Sequence, residues 1–133
     1  MWLLHSGQWP AELLAQVQAT DTRFDGADGS APDGMLSAAE ARKVLQLPVA
    51  PPALLRAELL ALYLNLGDRR LNASTRIESL TAQQLGTRTV GAAARHAQAT
   101  LELPATPANL LRYTTAHVLL TSINLNVSPR YDR

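Results

Sequence analysis

Residues 53–65 read ALLRAELLALYLN. Leu54, Leu55, Leu59, Leu60, Leu62, Tyr63 and Leu64 put apolar side chains on every face of a helix, the pattern of a helix surrounded by others rather than one lying on a surface. Leucine and alanine dominate the chain and lose little side-chain entropy in helices, whereas aromatics, which favour pleated sheets, make up only 5% of it. Pattern and composition therefore predict an all-α fold: a compact bundle of about five helices with residues 53–65 as the central core helix.

The flanking residues punctuate this helix. Upstream, PVAPP at 48–52 is a stiff connector, because proline fixes φ and biases its predecessor toward extended backbone. Downstream, Asn65-Leu66-Gly67-Asp68 tolerates left-handed backbone and should end the helix, opening a long polar connection, GDRRLNASTRIES. TVGAAARHAQATLEL, 89–103, then predicts a helix whose alanines and Gly91 let a neighbour approach closely, with Arg95 and Gln98 facing out. Thr106-Pro107 has the form of an N-cap followed by a first-turn proline. It should start a last helix running to about Asn124, with Leu110, Leu111, Ala116, Val118, Leu119 and Ile123 inward. Toward the N-terminus, Pro10 as a first-turn proline and Leu13, Leu14 and Val17 at helical spacing predict a first helix over 10–20.

Between the first helix and PVAPP lies DTRFDGADGSAPDGMLSAAEARKVL, residues 21–45, with four aspartates and three Asp-Gly pairs. Ser37-Ala38-Ala39-Glu40 has the S-x-x-E form of a capping box and starts a short second helix with Val44 and Leu45 on its apolar side. The chain as a whole carries net charge +1, which points to no nucleic-acid or membrane-surface partner, but residues 21–40 hold five of its eleven acids against one of its twelve bases.

Calcium takes six to eight oxygen ligands, and an EF-hand loop supplies them from positions 1, 3, 5, 7, 9 and 12 with glycine at 6. Aligned backward from Glu40 at position 12, Ser37 falls at 9, Leu36 at the apolar position 8, Met35 at 7 through its carbonyl, Gly34 at 6 and Asp33 at 5. The strict register then puts Gly29 and Ala31 at positions 1 and 3, which lack side-chain oxygens. A binding loop must be longer: thirteen residues if Asp28 is the first ligand, sixteen if Asp25 is. The candidate ligands are Asp25, Asp28, Ser30, Asp33, Met35, Ser37 and Glu40, with Phe24 anchoring the incoming helix. Calcium suits such an elongated loop better than magnesium, which demands a near-ideal octahedron. The same residues also read as an acidic turn closed by a capping box, needing no metal. Both readings stand on sequence alone.

No stretch is long and apolar enough to span a bilayer, no secretory signal opens the chain, and the absence of cysteine removes disulfides and thiolate metal sites. No nucleophile elbow, P-loop, H-E-x-x-H or Rossmann glycine pattern is present, so no enzymatic activity is expected. His5, His96 and His117 lack the spacing of zinc ligands. Arg69, Arg70 and Arg76 have no interleaved aromatic on which a base could stack, so protein partners or neighbouring copies are expected rather than nucleic acid. Asn72-Ala73-Ser74 is read as loop chemistry, and the hydrophobic content of 47% supports one domain, 1–133. That domain comprises an EF-hand-like helix-loop-helix at 1–47, a helical core at 53–126 and a polar tail at 127–133.

Trp2, His5, Trp9 and Pro10 form W-x-x-H-x-x-x-W-P. Followed by the acidic loop, by LLALYLNLGDRRLNASTRI (59–77) and by TVGAAARHAQATL (89–101), this resembles a domain recurring at the ends of large secreted bacterial surface proteins. That family's opening carries a lysine where this chain has Leu3, so no role of that lysine is inherited. The loop separately resembles EF-hand and dockerin-type calcium loops, although a dockerin has two loops and this chain one. Together the resemblances imply a calcium-stabilised, non-catalytic module, extracellular or displayed on a cell surface, with a structural, adhesive or assembly role. The alternative is an intracellular protein-interaction domain without metal.

Overall fold

The computed structural model describes residues 9–27, 29, 31–46, 50–67, 72–77, 80–104 and 106–125. Trp2, His5, Asp28, Ser30, Pro48, Asp68, Arg69, Arg70 and the tail lie outside the described residues. The fold is all-helical and compact, as expected. Five helices have eight residues or more: α1 (Ala11–Thr20), α2 (Ala38–Leu45), α3 (Pro51–Gly67), α5 (Val90–Leu101) and α6 (Leu110–Leu125). A short α4 (Leu80–Leu85) lies in a stretch to which the sequence reading assigns no element, and no described residue belongs to a strand. No described helix is long and apolar enough to cross a membrane.

α3 is the hub. It packs chiefly against α6 and also touches α1, α2 and α5. Leu55, Leu59, Leu60, Leu62 and Leu64 are fully buried, which is why their leucines point to all sides. Its one buried amide is also used: Asn65 Nδ2 donates to Asn124 Oδ1 on α6 at 3.0 Å, and Asn124 Nδ2 donates back to the Glu58 carbonyl at 3.0 Å and to its Oε2 at 2.6 Å. A satisfied polar pair inside an apolar interface fixes how far α6 slides along α3, because any other register would strand these groups.

α1 buries Leu13, Leu14 and Val17, with Trp9 beside them in the core. Pro10 is not in the first turn as expected. With ψ 144° it is the extended residue before the helix, and its carbonyl accepts from Leu13 and Leu14 N–H. α5 is capped by Thr89, whose hydroxyl oxygen accepts from Ala92 N–H. The polar connection runs alongside that start, bridging Arg76 to Thr89, and Gly91 donates to the Ala73 carbonyl at 2.8 Å. A Cβ on Gly91 would lie 3.1 Å from that carbonyl oxygen, so the expected close approach at this glycine is real. Asn72 Oδ1 accepts from both the N–H and the hydroxyl of Ser74, so the Asn-Ala-Ser triplet folds as a side-chain-closed turn.

α6 buries Ala116, Leu119 and Ile123 as expected, but Leu110, Leu111 and Val118 are exposed, and Tyr113 and Leu120 complete the buried face. This helix is apolar on two sides, so residue type alone does not separate them, and tertiary packing selects the phase. Tyr113 sets that phase, since its ring is buried and its hydroxyl donates to the Leu103 carbonyl. Thr106 stands at an N-cap with Pro107 in the first turn, as expected, but of a 3₁₀ turn, Pro107–Asn109, that leads into α6, and its hydroxyl oxygen accepts from Asn109 Nδ2 at 3.3 Å rather than from a backbone N–H.

Candidate metal centre

The acidic loop is closed from its two ends. At its entrance Thr22–Phe24 form a 3₁₀ turn, and Phe24 is fully buried with its ring edge-to-face on Tyr63 of α3, centroids 6.1 Å apart. This fixes the next residue, Asp25, as the expected anchoring role of Phe24 requires. At the exit the capping box is complete: the Ser37 hydroxyl oxygen accepts from Glu40 N–H at 3.1 Å and Glu40 Oε1 accepts from Ser37 N–H at 2.8 Å. Gly34 adopts φ +83°, the left-handed conformation that position 6 of a calcium loop demands, and Leu36 beside it is buried.

These two anchors bring three carboxylates together. Oxygens of Asp25, Asp33 and Glu40 lie within 4.8 Å of one another, with Glu40 buried, Asp25 half-buried and Asp33 exposed. Two oxygens bound to one calcium at 2.3–2.6 Å can be at most about 5 Å apart, so this spacing is within reach of a shared cation. Asp25 is the first acid of the sixteen-residue register. Asp28 and Ser30, the other donors of the loop's first half, lie outside the described residues.

The carboxylates are held by backbone N–H groups rather than by cationic side chains. Asp25 Oδ2 accepts from Gly34 N–H at 2.7 Å and Oδ1 from Asp33 N–H at 3.2 Å. Glu40 Oε2 accepts from Gly26 N–H across the loop, and Asp33 Oδ1 accepts from Met35 N–H at 3.0 Å. The Met35 side chain is exposed, while the Ser37 hydroxyl is engaged in the capping box. Among the described residues no Lys, Arg or His forms an ion pair with Asp25, Asp33 or Glu40. Asp25 Oδ2 also accepts from Gln18 Nε2 at 3.5 Å, whereas Asp25 Oδ1, Asp33 Oδ1 and both Glu40 oxygens each accept one N–H bond, and a carboxylate oxygen with two lone-pair directions then keeps one for a cation. The donor set is all oxygen, which suits a hard cation and not a soft one.

The fourth aspartate of the stretch does something the sequence does not disclose. Asp21 turns away from the cluster, holds Arg23 Nε at 2.7 Å and accepts from the Tyr63 hydroxyl at 2.9 Å. Gln98, expected to face out, instead donates to the Tyr63 oxygen. Burial pushes the Tyr63 phenol well above its usual range, and the adjacent Asp21 carboxylate adds to this, while the Gln98 bond opposes it. Asp21, Tyr63 and Gln98 thus pin the end of α1 to α3 and α5. The one sequence signal for this was a lone tyrosine among the leucines of the core helix.

No family model, no curated protein and no solved structure matches this chain.

Proposed function

We propose that this chain is a calcium-stabilised, non-catalytic helical module of an exported or cell-surface bacterial protein, serving a structural, adhesive or assembly role. The observation that carries the reading is the convergence of Asp25, Asp33 and Glu40 from opposite sides of the loop with no basic side chain among the described residues to balance them. Carboxylates within 4.8 Å of one another repel, most strongly where water is excluded around Glu40. A divalent cation would supply the missing countercharge. The protein's part is to hold the three carboxylates in place through Phe24, the Ser37 cap and the left-handed Gly34. Closing the loop then ties the end of α1 to the start of α2. The resemblance of the W-x-x-H-x-x-x-W-P opening to secreted surface domains supplies the location and the bacterial source.

A second reading is favoured by one observation. Both oxygens of Asp25 and both of Glu40 already accept hydrogen bonds, so the loop can also be closed by hydrogen bonding alone, in an intracellular protein-interaction domain.

A thermal melt separates the two. In excess calcium over EDTA the midpoint should rise by roughly 5–10 °C, the equivalent of about 2.7 kcal/mol at a hundred times Kd. Asp33→Asn is the informative variant, because its amide oxygen can still accept from Met35 N–H while its charge is gone. It should fold in EDTA and lose the calcium response. Identical wild-type melts in calcium and EDTA would favour the metal-free reading.

A further inference from the structure

Five large hydrophobic side chains are exposed among the described residues, and four belong to one helix: Leu110, Leu111, Val118 and Leu125 of α6, at 48%, 76%, 52% and 80%. Leu111, Val118 and Leu125 recur every seven residues, which on an α-helix places them in one nearly straight line. That line lies opposite the Tyr113, Ala116, Leu120 and Ile123 face that packs on the core. Thr115 and Ser122 complete it, and their hydroxyls donate to carbonyls of their own helix, at Leu111 and Leu119, each at 2.8 Å. Covering the line therefore desolvates little polar surface. A continuous apolar line of this kind marks an interaction surface rather than scattered exposure.

We propose that α6 pairs antiparallel with α6 of a second copy of this chain, about a twofold axis at Val118. Three features of the molecule select a second copy. The spacing is symmetric, with Leu111 and Leu125 each seven residues from Val118, so a twofold sets Leu125 of each copy opposite Leu111 of the other, the self-complementarity an isologous interface requires. The shape also matches: a cavity of about 410 Å³, walled by Leu85, Ala99, Leu103 and Leu111 with His96 and Arg112 also lining it, opens beside the Leu111 end, and Leu125, the most exposed of the four α6 side chains, protrudes at the other end. Each copy thus offers one knob and one hole about 21 Å apart along the helix, the distance of fourteen residues. Charge agrees as well. Arg112, the one Lys, Arg, Asp or Glu of α6, lies in its first turn, at the positive end of its own helix dipole. In the antiparallel pair it faces the negative C-terminal end of the partner's α6.

Apolar patches on single chains are typically on the order of 300–600 Å², below the roughly 800 Å² per partner of a standard stable interface. The dimer should therefore be weak, forming in the micromolar range. This inference does not depend on calcium.

The test is sedimentation equilibrium of the full chain across low to high micromolar concentration, in EDTA and in calcium. The average mass should rise from 14.3 kDa toward twice that value in both buffers. Val118→Glu and Leu125→Glu alter exposed positions that the core does not use, so both should keep the helical spectrum. Val118→Glu sets like charges together on the axis and should weaken association at least about a hundredfold. The chain has no cysteine, so Val118→Cys should form a disulfide-linked dimer on mild oxidation, whereas Arg42→Cys on exposed α2 should not. A mass that stays at 14.3 kDa overturns the proposal, including the case in which the monomer takes up an apolar dye in the cavity. Equal cross-linking of the two cysteine variants overturns it too.

Discussion

Glu40→Gln, studied without metal, tests how the loop is closed, because two opposed effects meet at this buried side chain, which is 3% exposed. The carboxylate accepts from Gly26 N–H with one oxygen and from Ser37 N–H with the other. The amide can keep only one of these bonds. Its –NH₂ must then face the remaining backbone N–H, donor against donor. Losing a charge-assisted bond and stranding a donor costs about 2–3 kcal/mol. In the other direction, removing the charge relieves repulsion from Asp25 and Asp33. Asp33 is exposed and screened and Asp25 half-buried, so this relief is worth about 0.5–1 kcal/mol. Hydrogen bonding should win, leaving a net destabilisation of about 2 kcal/mol. Urea unfolding in EDTA should show it as a lower midpoint with unchanged slope, and thermal unfolding as a fall of roughly 4–8 °C. A variant as stable as the wild type, or more so, would mean that carboxylate repulsion dominates the metal-free loop, refuting its closure by these two bonds.

Other perturbations have equally definite outcomes. Tyr63→Phe keeps the ring on Phe24 but removes the bond to Asp21 and the acceptor for Gln98, and should lower stability by about 1.5–2.5 kcal/mol in chemical denaturation. It should also flatten the alkaline side of the stability profile. The native Tyr63 phenol is raised above its ordinary value of 10.0, so its contribution is complete below that pH and shrinks as pH climbs above it. Gly34→Ala meets no atom within 4 Å, so its cost is conformational alone, about 1–2 kcal/mol from the left-handed φ, measurable as a shift in the urea midpoint. Burial lowers the His96 imidazole below its ordinary 6.5, so the unfolded chain takes the proton first as pH falls. Its share of stability is full above 6.5 and lost as pH drops through the native value, and His96→Gln should reduce the slope of the urea midpoint below that pH.

What the sequence disclosed was what short-range geometry determines. The core helix was legible because leucines on all faces permit no other environment, and the Ser37-Glu40 box because both its bonds close within four residues. Gly34 and Leu36 were placed by counting back from Glu40, and they adopt the left-handed and buried states that count required. What stayed hidden depends on partners distant in sequence. Asp21 reads like the other acids of its stretch, and only the docking of α3, which brings Tyr63 to it across 42 residues, withdraws it from the cluster. Gln98 follows the same tyrosine. In α6 two apolar faces compete, and the core takes the one carrying Tyr113, leaving Leu111, Val118 and Leu125 outside. The short α4 has too few residues to display a period of its own.

We propose that the Asp25, Asp33 and Glu40 loop takes one calcium ion. Isothermal titration of the metal-stripped protein with calcium tests it most directly, with magnesium as comparison and Asp33→Asn as control. One calcium should bind per chain, magnesium should bind more weakly, and the variant should give no binding heat while retaining its helical spectrum. A wild-type chain, folded and metal-free, that gives no calcium isotherm up to millimolar concentration would contradict it.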